Sequence, residues 1–274
     1  MNTVQRALQI LQTDGVKVLT QKSAHKLKDK IITNMFTYAN NPIPLLQRYY
    51  STCRLLFPDR YTDADPFKVI YVDPHDIRFE QGLQYNTRDG PTGWARVVEG
   101  DWDKNKIRFD DCFKYKSIYR RYKEKVPWEK TEYYQRYVEK VKTDPPVYGC
   151  ESPNEMKARF QHLDDIYESI QENGFKTQKQ LLAKNPDLTQ RDLNDGYHPL
   201  MNEITVNITR NGNLIYSCSG RNRLCMAKVS DVDKVPVQVR TRHKSWQEVR
   251  ENILSSRNDR KRISDHPDLQ DLIH

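Results

Sequence analysis

The chain has no run of eighteen apolar residues, and its first thirty residues lack the apolar stretch of a signal peptide. A membrane-spanning helix is therefore not expected, and neither is secretion, so the expected location is the cytoplasm. Cysteine is scarce and odd in number: Cys53, Cys112, Cys150, Cys218 and Cys225, with no C-x-x-C and no paired Cys/His spacing of the zinc type. This speaks against a disulfide framework or a structural metal and for a reducing compartment. Apolar residues are only 36% and mean hydropathy is −0.90, so much of the chain must be surface, elaboration or arm. No internal repeat or low-complexity tract is present. A length of 274 residues suits one large domain or two small ones.

What the chain does have is positive charge. A net charge of +8 and a pI near 9.1 point to an anionic partner. The charge is uneven: from Lys104 to Lys142 basic residues outnumber acids about two to one, interleaved with aromatics that include Phe113, Tyr115, Tyr119, Tyr122, Trp128, Tyr133 and Tyr137. Such a segment can track a phosphate backbone and stack bases, which makes nucleic acid a candidate partner. The alternative is a pair of helices that bury the aromatics and solvate the lysines. Tyr115, Tyr119 and Tyr122 follow an i, i+4, i+7 stripe, which favours the second reading.

The organisation reads as an N-terminal helical arm over residues 1–66, a core over 67–250 interrupted at about 80–155, and a charged tail over 251–274. The arm carries Val4, Leu8 and Leu11 on one helical face and lysines from Lys17 to Lys30, a pattern that suits either packing on the protein's own body or contact with an anionic membrane surface. Asn40 to Pro44 breaks it, Leu45 to Phe57 reads as a further helix, and Lys68 to Val72 as a strand. The interruption opens with Gly82, Gly90 and Gly93 and then carries Asp101 and Asp103. Two apart in an extended segment, these carboxylates face one side, as an acid or magnesium pair would; Asp-x-Asp is also an ordinary turn sequence. Two basic aromatic helices follow, separated near Val126 to Trp128. A helix over 154–173 then returns to the core, with Gly174 placed to end it.

Glu203 to Arg240 carries the chemistry. Ile204, Val206 and Ile208 alternate with Thr205, Asn207 and Thr209 as in a half-buried strand, and Arg210 to Asn213 supplies a hairpin turn. A second strand over Leu214 to Cys218 ends at Ser219-Gly220, a helix is predicted from Arg221 to Val229, and a strand from Val235 to Val239. A strand that turns through glycine into a helix leaves the helix's first N–H groups without partners and adds the positive end of its dipole. Arg221 and Arg223 add forked donors suited to phosphate oxygens. The plain alternative is that they solvate the helix start and Gly220 only serves a left-handed turn.

Gly220, Arg223 and Ala227, followed by Val235-Pro236-Val237, resemble the phosphate-binding box and closing strand of the ParB/sulfiredoxin-like superfamily. Leu163 to Gly174 is similar to that superfamily's Leu-x-x-Leu-x-x-Ser-Ile-x-x-x-Gly helix, and Phe67 to Ile77 to its opening strand and turn. The likeness covers about 67–80 and 157–240, in the superfamily's order. The layout is also similar to archaeal and viral proteins with a ParB-like domain. Asn222 stands where the box has His or Arg, and Arg221 where sulfiredoxins have their reactive Cys, so sulfinic acid reduction is not implied. ParB proteins that slide on DNA carry a helix-turn-helix domain after this core; residues 241–274 leave no space for one, so plasmid partition is not expected.

The resemblance implies an α+β core that binds a nucleotide or related phosphate compound at Gly220, Arg221, Asn222 and Arg223, with ATP or CTP and Mg²⁺ as the expected ligands. Phosphoryl transfer would need a base, and kinases of the superfamily use an acidic residue; Glu203 is the candidate here, with His243 after the last core strand as a second catalytic candidate and Asp101 and Asp103 as the metal pair. If the protein is an enzyme, it is then a phosphotransferase or a nuclease. A DNA-binding or nuclease-like protein working through 104–142 and 240–262 is the alternative, and a non-catalytic scaffold marked by Asn222 is the third.

Overall fold

A computed structural model describes residues 42–81, 93–184, 202–255 and 265–272. The expectations for the N-terminal pattern before residue 42, including its membrane face, lie outside these residues, as do Gly82 and Gly90. The chain is α+β. Among the described residues, no helix is long and apolar enough to cross a membrane.

The strands are β1 (Val69–Val72), β2 (Phe79–Gln81), β3 (Arg96–Val98), β4 (Lys106–Arg108), β5 (Ile204–Ile208), β6 (Leu214–Tyr216) and β7 (Val235–His243). They form one mixed sheet in the order β1-β7-β5-β6-β2-β4, with β3 also on β7. β7 holds the sheet together. Its first half pairs antiparallel with β1, its last three residues pair parallel with β3, and β5 runs parallel along its other edge. All nine residues of β7 are buried. Val235, Val237 and Val239 enter the apolar core, while the polar side chains between them meet fixed partners. Gln238 donates to the Phe67 carbonyl, and Arg242 pairs with Asp268. The sequence pattern predicts this strand only to Val239. It runs on because Arg240 and Arg242 have such partners, and hydropathy alone does not reveal them.

The helices are α1 (Ile43–Leu56), α2 (Phe113–Tyr122), α3 (Glu132–Thr143), α4 (Pro153–Asn173), α5 (Gln178–Lys184), α6 (Arg221–Val229) and α7 (Lys244–Ser255). Three of these start on capping side chains. Cys112 Sγ accepts from Tyr115 N–H at 3.3 Å for α2, Thr131 caps α3, and Ser152 accepts from Glu155 N–H at 3.3 Å for α4. Gly174 ends α4 with a φ of 71°.

The basic aromatic segment buries part of its rings, while Tyr119 of the expected stripe is exposed. Tyr122, Trp128 and Tyr133 lie in the same apolar cluster as Val206 and Val237 of the sheet. Trp128 and Tyr133 each sit 4.9 Å from Phe160 of α4, and Tyr122 stacks on Tyr167 at 3.7 Å. Asp164 of α4 takes two hydrogen bonds from Arg121 and one from Trp128 Nε1.

The expected polar tail is in part a clasp. A 3₁₀ turn over Pro267–Leu272 buries Leu269 and Leu272, and its Asp268 also accepts from Trp246 Nε1 at 2.9 Å. Arg250 of α7, fully buried, pairs with Asp271 of this turn at 2.9 Å and with Asp63 at 2.8 Å.

Candidate phosphate site at the Gly220 turn

The turn is built by Thr205 of β5. Its hydroxyl accepts the N–H groups of Cys218 and Ser219, and its backbone exchanges bonds with Ser217 and Ser219. The chain then passes through Gly220 at φ 76° into α6. A Cβ at Gly220 would stand 2.8 Å from Ile204 Cα, so only glycine brings the helix start this close to β5. The strand, glycine turn and helix are those predicted, although β6 stops at Tyr216 and Cys218 lies exposed beyond it.

Both arginines of the turn already have carboxylates. Arg221 pairs with Glu80 of β2, with its guanidinium 4.5 Å from the Tyr216 ring. Arg223 is buried, donates to the Asn202 carbonyl, and lies 3.5 Å from Glu203. Glu203 is fully buried and also accepts from the Gln178 N–H at 2.6 Å, which anchors the start of α5. Burial pushes the Glu203 carboxyl up, against the pull of Arg223 and the Gln178 N–H. So placed, Glu203 is an anchor between three chain segments and has no open face toward a ligand.

Sequence reasoning did not foresee the wall opposite the turn, which the insertion supplies. The Tyr133 hydroxyl of α3 donates to Asn222 Oδ1 at 3.2 Å, so Asn222 docks this segment on the start of α6. Lys114 of α2 is ringed by Tyr133, Tyr137 and Tyr148, its Nζ 4.8, 5.0 and 5.2 Å from their centroids, and it donates to the Tyr148 hydroxyl at 2.9 Å. Among the described residues Lys114 has no carboxylate partner. Tyr148 stacks on Tyr137 at 5.2 Å, with the Arg159 guanidinium 4.8 Å from its own ring.

Two weak acids in this wall report its potential. Cys112 is drawn down to about 6, first by the hydrogen bond from the Cys225 thiol and then by the Tyr115 N–H and Arg221, against burial and Glu80. Burial would raise Tyr148, but the charge and hydrogen bond of Lys114, with Tyr137 and Arg159, outweigh it and bring the phenol down. Buried tyrosines nearby, such as Tyr133 and Tyr216, move the other way because desolvation dominates there.

The remaining candidates gather elsewhere. His243 sits at the far end of β7, one residue past the pairing of Arg242 with Ile208, whereas Gly220 packs on Ile204. Ile204 and Ile208 are four residues apart, roughly 13 Å along a strand. His243 therefore does not share a mouth with Glu203. Its Nε2 is 2.8 Å from the Gly100 carbonyl oxygen, and its Nδ1 accepts from the Ser245 N–H.

Asp101 and Asp103 do converge near His243, but in a turn rather than the expected extended segment, and on a cation: Arg210 reaches Asp101 at 2.7 Å and Asp103 at 2.6 Å. Burial raises Asp103, and Arg210 more than offsets it, to about 2. A cleft of about 280 Å³ lies here, lined by Asp101, Arg210, His243, Lys244 and Glu248 among others. Among the described residues, no group of three or more His, Cys, Asp and Glu side chains is arranged to hold a metal ion.

Compared with family models, with curated proteins and with solved structures, the chain matches none.

Proposed function

We propose that the protein binds a nucleotide or another phosphate-bearing ligand at the Gly220–Arg223 turn of a ParB/sulfiredoxin-like core. The observation that carries this reading is the Gly220 turn itself, packed on Ile204 at φ 76°, which opens α6 beside the Arg221 guanidinium while the neighbouring α2 carries the tyrosine-ringed cation of Lys114. The helix start at Gly220 adds N–H groups to those charges. Binding is better supported than phosphoryl transfer, because Glu203 is tied to Arg223 and Gln178, and Asp101 and Asp103 to Arg210. ATP or CTP would bring its own Mg²⁺. A cytoplasmic location belongs with this reading. A nucleic-acid partner would have to work through the exposed lysines, since Tyr122, Trp128 and Tyr133 are committed to the core.

A scaffold with a decayed site is the second reading, and one observation favours it: Glu80 and Glu203 already compensate Arg221 and Arg223. Calorimetric titration with ATP and with CTP, each with magnesium, separates the two. Arg221→Ala is the variant of choice, since truncating buried Arg223 would strand Glu203. Loss of a charged hydrogen bond is worth about 1.5–3 kcal/mol, or roughly 10- to 100-fold in affinity. Wild-type binding weakened by that factor supports the site. No binding by either protein leaves the scaffold, and salt-steep binding of nucleic acid without any nucleotide effect points to the insertion's lysines.

A further inference from the structure

We propose that Cys112 and Cys225 are a redox pair, in which a peroxide oxidises Cys112 and Cys225 resolves it as a disulfide joining α2 to α6. Cys112 occupies the N-cap of α2 with its sulfur accepting the Tyr115 N–H, and it is partly exposed. Cys225 lies buried on α6, which packs directly against α2, on the face between Arg221 and Lys228, whose cationic groups both lie over the ring of Phe109, three residues before Cys112. Arg221 stands one helical turn before Cys225, so its guanidinium is beside the same sulfurs. The charged and titratable groups around the pair are Arg221 from α6, Glu80 from β2, Tyr216 from β6, and Lys114 and Tyr115 from α2.

The two sulfurs differ in the way such chemistry needs. The neighbouring Cys225 S–H, then the Tyr115 N–H and the Arg221 guanidinium, stabilise a thiolate at Cys112, while full burial pushes the Cys225 thiol up and keeps its proton on. Cys112 thiolate attacks one oxygen of the peroxide, the O–O bond breaks, hydroxide leaves, and Cys112 becomes a sulfenic acid. The Cys225 sulfur then attacks the Cys112 sulfur, the S–O bond breaks, and the thiol proton leaves with that oxygen as water. Two thiols lose two electrons, and one hydrogen peroxide becomes two waters. The pair lies beside the strand-to-helix turn and shares Arg221 with it, but its chemistry uses no phosphate. It stands whether or not the turn binds phosphate.

The test is a titration of the whole folded chain with hydrogen peroxide, followed by alkylation and non-reducing peptide mapping. The expected product has lost two hydrogens and yields a linked peptide containing Cys112 and Cys225, with exposed Cys218 still alkylated. Cys225→Ser keeps a donor beside Cys112 but cannot resolve it, and stops at a sulfenic acid on Cys112 that a cyclic diketone traps. At pH 6 Cys112 is about half thiolate against roughly 0.3% for an ordinary thiol, and lower intrinsic nucleophilicity takes back about tenfold. Alkylation of Cys112 is then on the order of tenfold faster than that of free cysteine. Oxidation of Cys218 ahead of Cys112, or over-oxidation of Cys112 in the wild-type protein with no linked peptide, overturns the proposal.

Discussion

Gly220→Ala tests the closest approach in the turn. At φ 76° an alanine pays the left-handed penalty of roughly 1–2 kcal/mol. Its Cβ would also lie 2.8 Å from Ile204 Cα and 3.0 Å from Ile204 N, backbone atoms of a strand held on both edges by β6 and β7. Neither β5 nor α6 can yield as a side chain would, so overpacking adds about 1–3 kcal/mol, for a total of about 2–5 kcal/mol. Gly149→Ala provides the control, because Gly149 has φ 75° but nothing within 4 Å of its Cβ position, leaving only the conformational part. Urea unfolding followed by tryptophan fluorescence reads both, with Gly220→Ala expected to lose about 1–3 kcal/mol more than Gly149→Ala at an unchanged slope. Equal losses would mean that the helix start does not rest on β5, and the geometry of the phosphate site would fall with it.

Burial works against the Asp63 carboxyl, but Arg250 and Gln247 hold it down to about 2, below the ordinary value near 3.9. Its contribution, about 2 kcal/mol, is present above pH 4 and is lost as pH falls through 2, so melting temperature should drop across that window and Asp63→Asn should flatten the drop; an unchanged acid limb in the variant refutes the pairing. Lys114→Met should raise the Tyr148 phenol, seen in the ultraviolet difference titration of tyrosinate as loss of the component that ionises before the others. The same early component in both proteins would remove Lys114 from the site's electrostatics.

The alternation in β5, the Gly turn and the apolar positions of α6 marked the central unit, because each is a local signal that one stretch of sequence carries whole. However, β5 is buried on both faces, Thr205 and Asn207 included, and not half-buried as its alternation predicts. Of the predicted stripe on α2, Tyr122 is core and Tyr115 packs against it, but Tyr119 is exposed. The partners of the charged residues were not legible. Arg221 meets Glu80, which is 141 positions away, and Arg210 meets Asp103, 107 positions away, so a cation read as free for ligand is compensated by a carboxylate that nothing local indicates. Cys112 was similarly silent, since its capping role and its contact with Cys225 exist only once α2 lies on α6. A short polar residue followed by Phe and Lys at a predicted helix start was the available clue to the cap.

The place of β7 in the sheet sets the order in which the molecule can be made. Among the described strands it comes last in the chain, yet β1 pairs with no other of them, β3 otherwise has only a bridge to Tyr61, and β5 needs it along one whole edge. A growing chain therefore carries those edges open from residue 69 until residues 235–243 emerge, exposed to pairing with other chains. Contacts this distant in sequence form slowly. The sheet of this protein gains its centre late in synthesis, and its most vulnerable moment is the interval before one strand arrives.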